Sequence, residues 1–171
     1  MDGNLAIKYN VLENGDIVDM SRASVVHNIT LGRLVKSLEK VVEKSCEVLR
    51  EQSFRWKEDT AAYRMPDISI ACDISSANGV DLDSIPWFIA EVLSESTEVI
   101  DRNEKMRLYA KIGIQEYWIV EPVIRKIERY KNIDGTMQLI DVIGEDVKNV
   151  SFLTKDKMID ISNVWYSVCR S

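Results

Sequence analysis

Apolar and polar positions change period several times along this chain, and each change marks an element. Residues 5–20, LAIKYNVLENGDIVDM, alternate around Glu13-Asn14-Gly15-Asp16, which predicts two short strands and a turn, an N-terminal hairpin. Ser24 is placed to cap the helix that follows. From about Val26 to Leu49, Ile29, Leu31, Leu34, Val35, Leu38, Val41, Val42, Val48 and Leu49 recur at helical spacing, with Arg33, Lys36, Lys40 and Lys44 between them. A long helix is expected there.

A polar stretch, 51–65, stops at Pro66, and DISIACD (67–73) then alternates cleanly. Ile68, Ile70 and Cys72 share one face of that strand, and Asp67, Ser69, Ala71 and Asp73 share the other. A loop carrying Asn78-Gly79 leads to WFIAEVL (87–93), apolar almost throughout, as in a central strand covered on both faces. A second helix is predicted from about Glu98 to Lys111, with Gly113 placed to stop it. EYWIV (116–120) reads as a strand ended by Pro122. IRKIERYK (124–131), Asp134-Gly135 and MQLIDVI (137–143) read as a second hairpin. A short strand or turn near Met158–Ile161 and a segment around Trp165 close the pattern. There is no internal repeat and no low-complexity linker. The expected class is α/β, a mixed central sheet flanked by helices, in one domain over residues 1–171.

Composition narrows the reading. With 171 residues, 46% hydrophobic and 29% charged, the chain can build a core without disulfide or structural-metal help. No run of 18 apolar residues spans a membrane, and MDGNLAIKYN lacks a charged-then-apolar leader, so a cytoplasmic protein with no membrane partner is expected. Cys46, Cys72 and Cys169 are odd in number, far apart and without a CxxC pair. That excludes a recognisable thiolate zinc site, argues against a disulfide framework, and leaves Cys72 as a small core residue. The single histidine, His27, cannot make a multi-histidine centre. A net charge of −6 counts against tight nonspecific DNA binding, although a carboxylate site can meet phosphate through a metal.

The candidate chemistry centres on Glu91, a carboxylate inside an apolar strand. Buried there it needs a cation, a donor network or a proton; the alternative is a strand-end glutamate at a solvent edge. Asp67 begins the preceding strand on its polar face. If the two strands are neighbours, two carboxylates meet, and a hard cation such as Mg²⁺ (or Mn²⁺) relieves their repulsion. Asp101, Lys105, Leu108, Tyr109 and Ile112 share one stripe of the second helix. A lysine on that stripe points either at the sheet or into a surface pair with Asp101. Arg102, Arg107 and Lys111 look like solvated charges, and Tyr117-Trp118 reads as strand packing rather than a base-stacking surface.

PDISIACD, FIAEVLSEST, the D-x3-K-x3-Y spacing of Asp101, Lys105 and Tyr109, and GIQEYWIVEP together resemble the Uma-type family of restriction endonucleases. That family lies within the PD-(D/E)XK nuclease superfamily. YNVLENGDIVDMSRASVVHNITLGRL resembles its opening, including His27 at the head of the first long helix. The resemblance runs from about residue 9 to 130. It implies a restriction-endonuclease-like core with the metal at a splayed sheet edge. Asp67 and Glu91 would be the metal-holding acids. Leu93 stands where the usual motif has lysine, so the amine would come from Lys105. Asp101, Tyr109 and His27 would support. Glu95 replaces a usual proline and Glu121 a usual aspartate, and neither touches the proposed ligands.

Two functions follow as expectations. One is a Mg²⁺-dependent endonuclease hydrolysing phosphodiester bonds in DNA, working as a homodimer by analogy with restriction enzymes. The other is a catalytically silent binding or regulatory module that keeps the fold. A third, another metal-assisted hydrolysis, stays open because fold does not fix substrate.

Overall fold

A computed structural model describes residues 9–11, 17–19, 24–56, 63–72, 74, 82, 84–94 and 98–166. The expected turns at residues 13–16 and at Asn78-Gly79 lie outside them, as do Asp73 and Thr97. Strands β1 (Tyr9–Val11) and β2 (Ile17–Asp19) pair antiparallel, as the N-terminal alternation predicts. Helix α1 spans Val25–Glu39, and the Ser24 hydroxyl accepts the His27 N–H at 3.1 Å. Its buried stripe is His27, Thr30, Leu31, Leu34, Val35 and Leu38.

The helix ends ten residues before its apolar spacing suggests. Cys46–Arg50 forms strand β3 instead, paired antiparallel with β6 (Ile68–Cys72) so that Cys46 faces Cys72. Alternation in Cys46-Glu47-Val48-Leu49 satisfied both periods over so short a run, and pairing with a neighbouring strand decided it. The same register corrects the cysteine reading: Cys46 and Cys72 are disulfide-bonded across the two strands, with Cα atoms 3.9 Å apart. The polar stretch also holds two short strands, β4 (Phe54–Arg55) and β5 (Tyr63–Arg64), which pair with each other.

Six strands make the central sheet in the order β10-β9-β8-β7-β6-β3. β7 (Phe88–Val92) lies antiparallel to β6 and parallel to β8 (Glu116–Glu121). The parallel pair needs a crossover. It is supplied by α2 (Glu98–Ile100), a π-helical turn (Asp101–Lys105) and α3 (Met106–Ile112), with Gly113 closing the helix at φ 93°. β9 (Lys126–Ile133) and β10 (Thr136–Ile143) form the second hairpin. Both turn residues have positive φ, Asp134 at 51° and Gly135 at 79°, the pattern of the tight turn that matches strand twist. β11 (Asn149–Ser151) pairs with β12 (Met158–Asp160).

Two apolar layers cover the sheet. Ile68, Ile70, Phe88, Ala90, Val92 and Trp118 pack with α1 and the C-terminal strands. Ala71, Ile89, Ile119 and Tyr117 pack with Tyr109 and Ala110 of α3. Tyr117 and Trp118 are both fully buried, as strand packing requires. Glu116, also buried, accepts the backbone N–H groups of Leu153 and Thr154 and the Trp118 indole, and so ties the C-terminal segment to β8.

Three phenols report on this packing. Burial, and then the nearby Glu91 and Asp101 carboxylates, hold Tyr109 and Tyr117 well above the usual tyrosine range. Burial and Glu128 push Tyr130 up to about 12. The folded chain therefore keeps protons that an unfolded tyrosine releases near pH 10. Their contribution to stability is whole below that pH and drains as pH rises through it. Tyrosinate absorbance should appear together with loss of near-UV circular dichroism; ionisation of all six tyrosines in a chain that stays folded would contradict the burial.

Candidate active site

Glu91 is an odd-numbered residue of β7, so its side chain leaves the α1 layer, where Phe88, Ala90 and Val92 pack, and faces α3. Asp67 precedes β6 on that same face. The β6–β7 register pairs Ile68 with Ala90, and one further step brings Asp67 opposite Glu91. At that step the ladder is carried by side chains. The Val92 N–H donates to Asp67 Oδ2 at 2.8 Å, and the Asp67 N–H donates to Glu91 Oε2 at 3.3 Å. The paired ladder of the two strands ends at Ile68 and Ala90, one step before the two acids.

The crossover helix delivers the rest. Its π turn buries Asp101 and Lys105, and the next turn buries Leu108 and Tyr109. Such turns insert an extra residue at some cost and recur at functional sites. Lys105 Nζ stands 3.0 Å from Glu91 Oε1 and 2.7 Å from Asp101 Oδ1, and the Tyr109 hydroxyl donates to Glu91 Oε1 at 2.8 Å. From the other layer, the first turn of α1 brings His27 Nε2 to 3.8 Å from Asp67 Oδ2. Asp67, Glu91, Asp101 and Lys105 are each 3% exposed or less. All six residues singled out from the sequence meet at this one place.

Burial holds the Glu91 carboxyl above the usual carboxylate range, with Lys105 lowering it by more than the Asp67 charge raises it. Burial pulls the Lys105 ammonium down, but Glu91, Asp101 and Asp67 together raise it above its ordinary value. The lysine therefore stays charged. Among the described residues, no three His, Cys, Asp or Glu side chains form a ready-made metal cluster. Asp67 and Glu91 present hard oxygen donors, and Mg²⁺ characteristically takes one or two carboxylates and completes its shell with water and phosphate. That donor set fits a divalent cation, with Lys105 already standing against one of the acids.

Two neighbours were not foreseen. Arg64, 1% exposed, donates to Glu104 Oε1 at 2.9 Å and lies over the Trp56 ring at 5.5 Å, which fastens the π turn to β5. It sits in the stretch read as polar, where only Tyr63 and Met65 around it hinted at a strand. Arg102, expected as a solvated charge, is 26% exposed and bonds Glu98, Glu121 and Glu128. The substituted Glu121 thus has a structural partner. Glu47 is exposed on β3.

A strand-borne pair of acids facing a helix-borne lysine, on a mixed sheet with a helical crossover, defines a nuclease-type α/β fold. The crystal structure of "a putative nuclease belonging to DUF820" from Anabaena variabilis has the same fold, at TM-score 0.66, 18% identity, and coverage of 85% of this chain and 82% of that one. By its sequence the chain belongs to the Uma2 family, described as "Putative restriction endonuclease", whose model matches residues 4–156. Two uncharacterized Synechocystis proteins are similar to it. One, slr1290, is 36% identical over 90 residues, a match spanning 52% of this chain but only 47% of that protein. The other, sll1609, is 26% identical over 141 residues and 78% of each chain.

Proposed function

We propose that this chain is a divalent-metal-dependent endonuclease of the PD-(D/E)XK type, with Asp67 and Glu91 as the metal-holding acids and DNA as substrate. The observation that carries the reading is the reciprocal pairing of the two acids. Each reaches toward the other's strand, both are buried, and the Asp67 charge disfavours ionised Glu91. A structural role alone gives no return for setting two carboxylates against each other in a dry place. A bound Mg²⁺ would relieve that repulsion, polarise the scissile phosphate and lower the pKa of an attacking water.

The chain's own groups have distinct tasks in this reading. Lys105 offers positive charge where the phosphate oxygens gain negative charge in the transition state. Asp101 holds the lysine in place from the same helix turn. Tyr109 fixes the Glu91 rotamer by donating to one oxygen, which leaves the other directed toward Asp67. Membership of a family described as restriction endonucleases supports the nucleic-acid substrate.

Supercoiled plasmid should be nicked in the presence of Mn²⁺ or Mg²⁺ and left intact when a chelator is added. Calorimetric titration of either ion should give a binding isotherm that is lost in Glu91→Ala. Absence of both nicking and ion binding in the wild type would end this reading. Ion binding without turnover on DNA or RNA would instead favour the silent module. That second reading draws on a specific feature: the acids are nearly sealed, so phosphate can reach them only if the pocket opens.

A further inference from the structure

We propose that Cys46 and Cys72 are an exchangeable disulfide, opened at Cys46 by an acidic low-molecular-weight thiol, and that opening it frees the edge strand β3. The inference is independent of the nuclease reading.

A permanent staple is a poor account of this bond. Small domains use disulfides where a single core cannot hold the fold. Here the chain has 171 residues and two apolar layers, and β3 and β6 are already paired over five successive positions. The bond joins the terminal pair of that ladder, Cys46 at the first residue of β3 and Cys72 at the last of β6. β3 is the outermost strand of the sheet, with β6 its one neighbour there. Ladder ends at sheet edges open locally at low cost, which exposes a bond placed there while the core stays folded.

The surroundings suit exchange. Cys46 lines a cleft just beyond α1, together with Glu43, Trp87, Phe152, Lys155 and Lys157. Two ammonium groups line it against one carboxylate. Lys155 Nζ lies 4.7 Å from the Trp87 ring centroid and 3.8 Å from Glu43 Oε1. The attacking species in exchange is a thiolate, and nearby positive charge favours it over the thiol. The same charge draws in a thiol whose body carries carboxylates.

The exchange balances without a further reactant. An incoming thiolate attacks Cys46 Sγ, the bond to Cys72 breaks, and its electron pair leaves on Cys72 Sγ, which takes up a proton. A second thiolate attacks the small thiol's sulfur in the mixed disulfide and releases Cys46, which is protonated in turn. Two small thiols are oxidised to one disulfide, and the protein disulfide is reduced to two thiols. The consequence reaches the other end of the ladder. The Glu51 N–H, directly after β3, donates to the Asp67 carbonyl at 3.1 Å, so freeing β3 loosens the peptide that carries one of the two acids.

To test this, the full chain is equilibrated in mixtures of reduced and oxidised glutathione, quenched with acid, alkylated and mapped by mass spectrometry. Mapping separates Cys46 and Cys72 from Cys169. The bond should open as the reduced fraction rises and close as it falls, with far-UV circular dichroism unchanged and the mixed disulfide trapped on Cys46. A bond that opens only after unfolding in urea is a permanent staple and overturns the proposal, as does a chain whose two thiols never join. In Lys155→Gln/Lys157→Gln the opening rate with glutathione should fall about tenfold, the lower end of electrostatic steering. With uncharged mercaptoethanol it should change far less; equal falls would overturn the choice of an acidic thiol. Once the bond is open, amide hydrogen exchange along β3 and at Glu51 should quicken relative to the central strand β8. Unchanged protection of β3 would overturn the release of the strand.

Discussion

Replacing Lys105 with methionine is expected to cost about 3–5 kcal/mol of stability and to leave no measurable nicking. The ammonium is 1% exposed and stands against Glu91 and Asp101. Methionine fills similar volume, so the loss is electrostatic: two buried carboxylates keep their desolvation cost without their shared counter-charge. The deficit should depend on pH in a defined sense. Without the lysine the Glu91 carboxyl, already held up by burial, has one less influence lowering it. A carboxyl whose folded value lies above its unfolded one favours the native state increasingly as pH falls through the folded value. Urea unfolding at pH 8 should therefore show the larger gap from wild type, and at pH 5 a smaller one. A variant within about 1 kcal/mol of wild type at both pH values would mean the cluster is better hydrated than its burial implies. Nicking at the wild-type rate by folded variant would remove Lys105 from the mechanism.

How far the site could be read in advance depended on which physical signal each residue carries. Glu91 was legible because a charge in an apolar strand breaks a pattern that otherwise demands burial on both faces. Lys105 broke the helical stripe in the same way. Their meeting with Asp67 followed from strand order, which the resemblance implied and periodicity alone did not. Where two periods coincide the pattern fails, and Cys46–Arg50 shows why. Four or five residues can satisfy a helix stripe and a strand alternation together, and only the partner strand distinguishes them. The disulfide depends on that same partner, so cysteine spacing had no way to announce it. Arg64 and Glu116 illustrate a further limit. Each is a buried charge whose anchor lies about 40 residues away, at Glu104 and at Leu153-Thr154, and nothing local marks it.

The substitution Glu91→Gln should move stability and function in opposite directions. Glutamine keeps the shape, can still accept from Tyr109 and leaves Lys105 its partner Asp101, losing only the long 3.3 Å bond from the Asp67 N–H. What it removes is a charge that burial disfavours more than Lys105 supports, with Asp67 adding to the cost. The fold should thus gain on the order of 1 kcal/mol near neutral pH, a rise of a few degrees in Tm for a chain of this length. That gain should shrink as pH falls and the wild-type carboxyl takes up its own proton. Function should go the other way, because an amide oxygen is a poor substitute for an anionic ligand of a hard cation. Cation affinity should fall below detection, and nicking by about a thousandfold, comparable to losing a transition-state charge stabiliser. The paired measurement separates two accounts of Glu91. A structural glutamate, kept for its bonds to Tyr109 and Lys105, would make the variant less stable and leave ion binding alone. A carboxylate retained for a cation makes it more stable and inert.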